Sequence, residues 1–368
     1  MKIMVLNENM EPIGPISIVN TLIWTRRYYK AGCFEVHFPA QYYDLVRKGN
    51  GAYIYRTDRT ELGVIRERNF AESDTAKKTS YVKGYFAESL LEDRVINGSY
   101  NKQGIIEDVS RDIVDTYCIS SGGDRQIPNL SLGTRQGLGD SIRLQVTGEN
   151  VSDQLYKMEQ TQGMSHRLAY DYENNTLSFE VWQGLDRTDT QDVNSWATFS
   201  DSFRNIRDAV YNQDDTNYRN VAYVAGAGEG SERTIIEVDL REDATEARRE
   251  VWVDARDLQP TYVEGTTTYT YTDAEYEELL RQRGLDKLTE FAQVETVNSN
   301  VDPSANLVYG TDYDLGDLCT YRYTDVNIEM SKRITEITET IEGSRRTLAL
   351  TFGIDNASDI RQIIKRET

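Results

Sequence analysis

Gly226, Gly228 and Gly230 are the residues whose type and spacing come nearest to a known chemistry, because they follow an apolar run in RNVAYVAGAGEGSERTIIEVDL, residues 219–240. A glycine turn after a strand can cradle a dinucleotide pyrophosphate, provided that a helix opens directly behind it. Here the spacing is GxGxG rather than GxGxxG, and Ile236, Val238 and Leu240 alternate with Glu237 and Asp239. That period of two predicts a hairpin with a glycine tip, so no cofactor site is assigned. The acidic clusters Asp186-Arg187-Thr188-Asp189 and Asp312-Tyr313-Asp314 lack the glycine and spacing of a calcium loop. With 61 Asp and Glu in the chain, a glycosidase-like carboxylate pair could be drawn anywhere and would carry no information. The chain has no GxSxG, GxxxxGK[ST] or HExxH. Its two histidines, His37 and His166, and three cysteines, Cys33, Cys118 and Cys319, form no CxxC or ligand spacing. The expectation is no enzyme, with no catalytic, cofactor-binding or metal residues.

Composition points away from nucleic acid as a bound partner. Lys+Arg 41 against Asp+Glu 61 gives 41 − 61 = −20, and phosphate binding needs a cationic face. The acidic clusters read as solvated surface. The segment MKIMVLNENMEPIG turns polar too early for a signal peptide, and no apolar run reaches spanning length. A chain made in a reducing cytoplasm, without a membrane anchor, is therefore expected. Its 368 residues predict two to four domains, and its 24 tyrosines suit half-buried sheet surfaces.

Against that acidity, TLIWTRRYYKAGCFEVHFPA, residues 21–40, sets Arg26, Arg27 and Lys30 among aromatics. A basic nucleic-acid patch, a membrane anchor and a strand pair are the three readings, and the pattern decides between them. Phe34, Val36 and Phe38 alternate with Glu35 and His37, as in a strand with one buried face, and Pro39 ends the run. Further short strands punctuated by turns, as at Lys48-Gly49-Asn50-Gly51, make 1–83 a barrel or sandwich. Phe86, Leu90, Leu91 and Val95, then Ile106, Val109, Ile113 and Tyr117, predict two short helices within 86–119. Residues 120–139 read as loop, and strands return at 142–146 and 177–181. Thr272-Asp273-Ala274-Glu275 has capping-box spacing ahead of a stripe of Tyr276, Leu279, Leu280, Leu288 and Phe291, interrupted by Gly284. The final strands place Gly316 at a bend, break alternation between Ile334 and Ile337 in a bulge, and alternate cleanly at Leu348, Leu350 and Phe352. They are expected to complete the sheet begun at 219, and Ile360, Ile363 and Ile364 to form a short closing helix.

The expected fold is mainly β with α+β insertions: two β-barrel-like domains plus mixed α+β material. The limits are a first barrel-like domain at 1–83, a mixed domain at 84–214 and a second barrel-like domain at 215–353. The last carries an inserted segment and helix at about 251–292, and a C-terminal helix occupies 354–368.

In order along the chain, PIGPI (12–16), LIWTRRYYKAGCFEVHFP (22–39), GYFAESLLEDRVI (84–96), WQGLDRT (182–188) and NYRNVAYVAGAGEGSERT (217–234) carry a resemblance. VDARDL (253–258), LLRQRGLDKL (279–288), YDLGDLCTY (313–321) and RITEITETIE through LALTFG, ending at 353, continue it. The co-linear set resembles the tail-hub, or siphovirus tail protein, family of phages and prophages of Gram-positive bacteria. In architecture that family looks like the baseplate hub of contractile phages. The resemblance implies a structural protein at the virion tail tip, made in the host cytoplasm. It implies a homotrimer whose paired barrel domains, acting as tube domains, form a pseudo-sixfold ring around the DNA path. Partners would be the distal tail and tube proteins and a tip or fibre protein, with DNA passing without specific binding. Relatives often continue into receptor-binding or wall-hydrolase modules; here such functions would belong to a docked partner. On this reading Trp24, Arg26, Arg27, Tyr28 and Tyr29 are candidate subunit-interface residues, the arginines pairing with a neighbour's carboxylates. The competing functions are a glycan-binding host-recognition module with tyrosine-rich faces and, behind it, a cell-wall hydrolase.

Overall fold

The computed structural model describes residues 1–72, 78–241, 243, 245–264, 266–301 and 305–353. The closing helix expected at 354–368 lies outside them. The chain is mostly β, with strands gathered around four hydrophobic clusters.

The first cluster is built by β1 (Ile3–Leu6), β2 (Pro12–Ile16), β3 (Thr21–Arg27), β4 (Cys33–Pro39), β5 (Tyr53–Arg56), β6 (Leu62–Glu72) and β7 (Lys78–Phe86), with the short helix α1 (Tyr43–Val46). Alternation dictates its faces: Phe34, Val36 and Phe38 of β4 point inward beside Leu22 and Trp24 of β3. The second cluster is mixed. Strands β8 (Ser99–Ile105), β9 (Leu130–Leu132), β10 (Ser141–Thr147), β11 (Ser165–Asp171) and β12 (Thr176–Trp182) pack with α2 (Ser89–Glu92), α3 (Ile106–Val114) and α4 (Val151–Gln160). The stripe Ile106, Val109, Ile113 and Tyr117 is buried as its spacing predicts. The earlier stripe is different: Phe86 closes β7 opposite Gly63, so only Ser89–Glu92 is helical.

β13 (Asp186–Arg187), β14 (Thr198–Ser200) and β15 (Ile206–Asp214) pair not with this mixed unit but with C-terminal strands. Between them and those strands lies a separate layer. There β16 (Val221–Ala225), β17 (Ile235–Asp239) and β18 (Glu250–Asp254) form a three-stranded sheet, followed by the hairpin β19 (Thr261–Glu264) and β20 (Thr267–Thr270). The glycine-tipped hairpin is thus present as β16–β17. It does not belong to the sheet of the final strands, because α5 (Asp273–Glu290) covers its apolar face through Tyr276, Leu279 and Leu280 against Val224, Val238 and Val253. The capping box is formed: Thr272 Oγ1 accepts the Glu275 amide and the Glu275 carboxylate accepts the Thr272 amide.

The last cluster is closed by β21 (Val294–Val301), β22 (Leu318–Tyr323), β23 (Ile328–Glu342) and β24 (Arg345–Phe352). Gly316, at φ 84°, makes the bend before β22; a Cβ there would lie 2.5 Å from the Tyr28 ring. The bulge expected in β23 sits between Ile334 and Glu336, and the carbonyl of its extra residue, Thr335, accepts the Tyr28 amide at 2.9 Å.

The two β units do not close into barrels. One sheet runs in the order β15-β21-β24-β23-β3-β4-β7-β6-β5-β1-β2, open at β15 and β2 among the described residues. The physical reason is the antiparallel pairing of β3 with β23: each unit spends an edge on the other rather than on itself.

Gly284 is where propensity and packing disagree. A Cβ built on it would meet Val238 Cγ2 at 2.7 Å and Val224 Cγ2 at 2.8 Å, so glycine lets α5 sit directly on its sheet. Gly284→Ala gains about 1 kcal/mol of helix propensity but forces an overpacking that costs about 1–3 kcal/mol. We expect its thermal midpoint to fall below that of the wild type; a rise would mean that α5 can lift off without loss.

Candidate functional site

The stretch 21–40 supplies the junction between the two β units. Along the inward face of β3 and the residue that follows it, the side chains run Leu22, Trp24, Arg26, Tyr28. Leu22 and Trp24 belong to the first hydrophobic cluster and Tyr28 to the last. Opposite them on β23, Ile341, Glu339 and Ile337 stand in register with Leu22, Trp24 and Arg26. An arginine and a glutamate therefore occupy positions where strand alternation calls for apolar residues.

Charge at those positions is paired inside the chain. Arg26 donates from Nε to Glu61 at 2.5 Å and from Nη1 to Asp314 at 2.6 Å and the Tyr309 hydroxyl at 2.9 Å. Glu339, 2% exposed, meets Arg56 and Arg346 at 2.5 Å and Arg59 at 3.5 Å. Arg56, 1% exposed, also forks onto Asp58 with two bonds of 3.0 Å and lies 5.7 Å from the centre of the Trp24 ring. Arg59 stacks 4.9 Å above Tyr309. Four cations (Arg26, Arg56, Arg59, Arg346) face four anions (Asp58, Glu61, Asp314, Glu339), 4 − 4 = 0. This is a neutral belt between two apolar cores. Burial would lower the Arg26 guanidinium, but Glu61, Tyr309 and Asp314 hold it well above its ordinary value. Burial would likewise raise Glu339, but Arg56, with Arg346 and Arg59, holds it below the usual glutamate range. On the other face Arg27 bonds Glu336 at 2.7 Å, directly across the strands.

Of the five residues expected at a subunit interface, Arg26, Arg27 and Tyr29 are partly exposed. Trp24 and Tyr28 are buried, with Trp24 packed on Phe86 at 4.6 Å and Tyr28 edge-on to Trp182 at 4.9 Å. Tyr29 is half-buried against Tyr28 at 4.7 Å. The carboxylates that Arg26 and Arg27 take are Glu61, Asp314 and Glu336 of the same chain. Sequence reading missed Arg56, Glu61, Asp314, Glu339 and Arg346. The available signal was parity: Glu339 sits between Ile337 and Ile341, and Arg56 follows Ile54, each two residues apart.

A second polar cluster superficially suits hydrolysis. Ser110 donates to Glu159 at 2.8 Å, and His166 Nδ1 lies 2.8 Å from the other Glu159 oxygen, all three buried. A nucleophilic triad places the imidazole between hydroxyl and carboxylate, whereas here the carboxylate stands in the middle. Among the described residues no group of three or more His, Cys, Asp or Glu side chains is arranged to hold a metal.

The arrangement is therefore that of several β and α+β units locked together by strand pairing and matched charge. Solved structures share this architecture. A tail protein from Neisseria meningitidis MC58 superposes with a TM-score of 0.54 at 13% identity, covering 96% of each chain. The 43 kDa tail protein of prophage MuSo2 from Shewanella oneidensis gives 0.57 at 14% identity, covering 96% of this chain and 98% of that one. Prophage tail protein gp18 from Listeria monocytogenes EGD-e gives 0.55 at 11% identity, over 99% and 98%. The search of curated proteins returns no match. The fold is thus one that phage and prophage tail proteins adopt. The family model described as Siphovirus ReqiPepy6 Gp37-like protein matches residues 2–354, and the chain belongs to that family of phage tail proteins.

Removing one partner of the buried pair leaves a charge without compensation. Glu339→Gln is expected to destabilise by about 3–5 kcal/mol. Glu336→Gln, acting on the part-exposed pair with Arg27, should cost no more than about 1 kcal/mol. Because folding depresses the Glu339 carboxyl below its ordinary 4.5, its contribution is present above that pH and is lost as pH falls through the folded value. Chemical denaturation of both variants between pH 3 and 7 checks this: the gap between wild type and Glu339→Gln should narrow on acidification.

Proposed function

We propose that this protein is a non-enzymatic hub at the tip of a phage tail, joining the tail tube and distal tail ring to a tip or fibre protein around the DNA exit path. The observation that carries the reading is the family match over residues 2–354, together with a fold shared over nearly the whole chain with prophage tail proteins. The continuous sheet supports it. A subunit presenting two β units side by side, held at a set angle by the β3–β23 seam, contributes two neighbouring segments to a ring. Three such subunits make six segments, which matches a sixfold tube to a threefold tip. In this reading the ring units are residues 1–86 and the strands of 183–214 with 294–353, while the mixed unit and the β16–α5 layer are attachments.

Net charge supports the same role. The belt at the seam is neutral, so the excess of −20 resides elsewhere on the molecule. Three subunits would carry 3 × −20 = −60, and carboxylates facing a lumen would repel DNA phosphates. A second reading, glycan recognition, draws on one feature: Tyr262 stacks on Tyr269 at 5.2 Å and on Tyr271 at 4.8 Å, with Tyr269 exposed beside the solvent. Retention on host cell-wall polysaccharide would separate it from a bare hub.

Light scattering across a concentration series is expected to give about 126 kDa, three times 42.1 kDa. A species that stays monomeric or dimeric throughout would remove the self-assembling ring. Immunogold labelling of virions tests position independently: label at the tail tip is expected, and label along the tube or on the capsid would count against a hub.

A further inference from the structure

A small cavity, about 30 Å³, lies where the mixed unit meets β3. Arg26, Arg27 and Glu61 line it from the first β unit, and Glu88, His166 and Trp182 from the mixed unit. Three of the side chains that line it each carry a buried polar atom with no protein partner: Glu88 Oε2, His166 Nε2 and Trp182 Nε1. Each belongs to a side chain whose other contacts are settled. Glu88 Oε1 accepts the Leu168 amide at 3.1 Å. His166 directs Nδ1 to Glu159, which also accepts the Ser110 hydroxyl. The carboxylate of Glu159 thereby holds the Nδ1 proton of the imidazole, and Nε2 is left as a lone pair. Trp182 Nε1 can only donate.

Buried polar atoms of this kind are satisfied by protein or by ordered water. A water needs roughly 10–15 Å³ and two to four polar partners, and the site has both. We propose that this cavity is a water site, in which one ordered water bridges protonated Glu88, His166 and Trp182. Glu88 in its carboxylic-acid form and Trp182 Nε1 donate to the water, and the water donates to the Nε2 lone pair. Loss of the proton to solvent leaves a buried carboxylate beside Glu61 and Glu159.

The surrounding charges bear on that loss from every side. From β3 come Arg26 and Arg27, and from β11 Arg167, all on the cavity wall. From α4 come Glu159 and Tyr156, whose ring lies 4.3 Å from the His166 ring, and Glu92 of α2 acts on Tyr156. Burial pushes the Glu88 carboxyl above its ordinary range, Glu61 acts in the same sense, and His166 and the Leu168 amide oppose it. The folded protein thus keeps this proton at pH values where the unfolded chain has lost it. Stability from this group rises as pH falls from the folded value towards 4.5 and is constant below that.

Glu88→Gln keeps the shape and a donor but cannot titrate. Its melting temperature is expected to exceed that of the wild type by about 2–4 °C at pH 8 and to converge with it towards pH 5. A difference that does not change with pH overturns the buried proton on Glu88. If the variant fails to fold, nitrogen NMR of a His37→Gln protein, which leaves His166 as the one imidazole, reads the water bridge: a ring carrying its proton on Nδ1, with Nε2 accepting a hydrogen bond, is expected. A ring with its proton on Nε2 instead overturns the proposal. A crystal structure that resolves solvent should show one water within hydrogen-bond distance of all three atoms; a dry cavity with Glu88 bonded directly to His166 removes the water.

Discussion

The pairing of Thr21–Arg27 with Glu336–Glu342 is the contact on which the rest of the molecule depends. It turns two curled sets of strands into one sheet and sets their mutual angle through backbone hydrogen bonds. Side chains then make the register specific. A slip by one residue would move Arg26 and Glu339 to the opposite face and bring Thr25 and Thr338, now joined by a 3.0 Å hydroxyl contact, into the apolar cores. The belt around Arg26 and Glu339 is therefore better understood as a selector of register than as a source of stability. A buried ion pair gains little over an apolar pair of the same volume, but it makes every wrong register costly.

This also explains why the aromatic-basic stretch was hard to read in one dimension. Its strand character was legible, because Phe34, Val36 and Phe38 alternate over a single face. The capping box at Thr272, the bulge after Ile334, the hairpin across Gly226–Gly230 and the mostly β class were equally local, and they are present as read. What failed was non-local. Nothing within a few residues of Arg26 says that Glu61 and Asp314 will meet it, and cationic residues among aromatics look alike on a surface and in a satisfied interior. The partnership of 186–214 with the last strands is hidden for the same reason. Short strands such as Asp186–Arg187 carry almost no periodicity, and they exist because β22 offers them a parallel edge. The hairpin at 221–239 was assigned to the wrong sheet because apolar alternation says that a face is buried, not what buries it.

Charge is distributed by the same logic. Glu339, Glu61 and Glu159 are met by arginine, histidine or hydroxyl groups of the same chain, and buried Glu107 by the Gln136 and Leu138 amides. Carboxylates at the surface are screened by solvent. An acidic exterior around a neutral seam repels polyanions.

The order of the chain adds a constraint on assembly. Arg27 and Glu336 are 309 residues apart, so the seam cannot form until nearly all of the described chain is available. Loop closure over such a distance grows only slowly more costly with length, so what it delays is folding rate rather than final stability. The intervening layers carry hydrophobic clusters of their own and need not wait for it. The β16–α5 layer, which enters and leaves beside the paired strands β15 and β21, lengthens the loop at little cost to the seam. A scaffold that closes its ends last can accept insertions between them, and the two β units keep their relative angle whatever the inserted layers go on to bind.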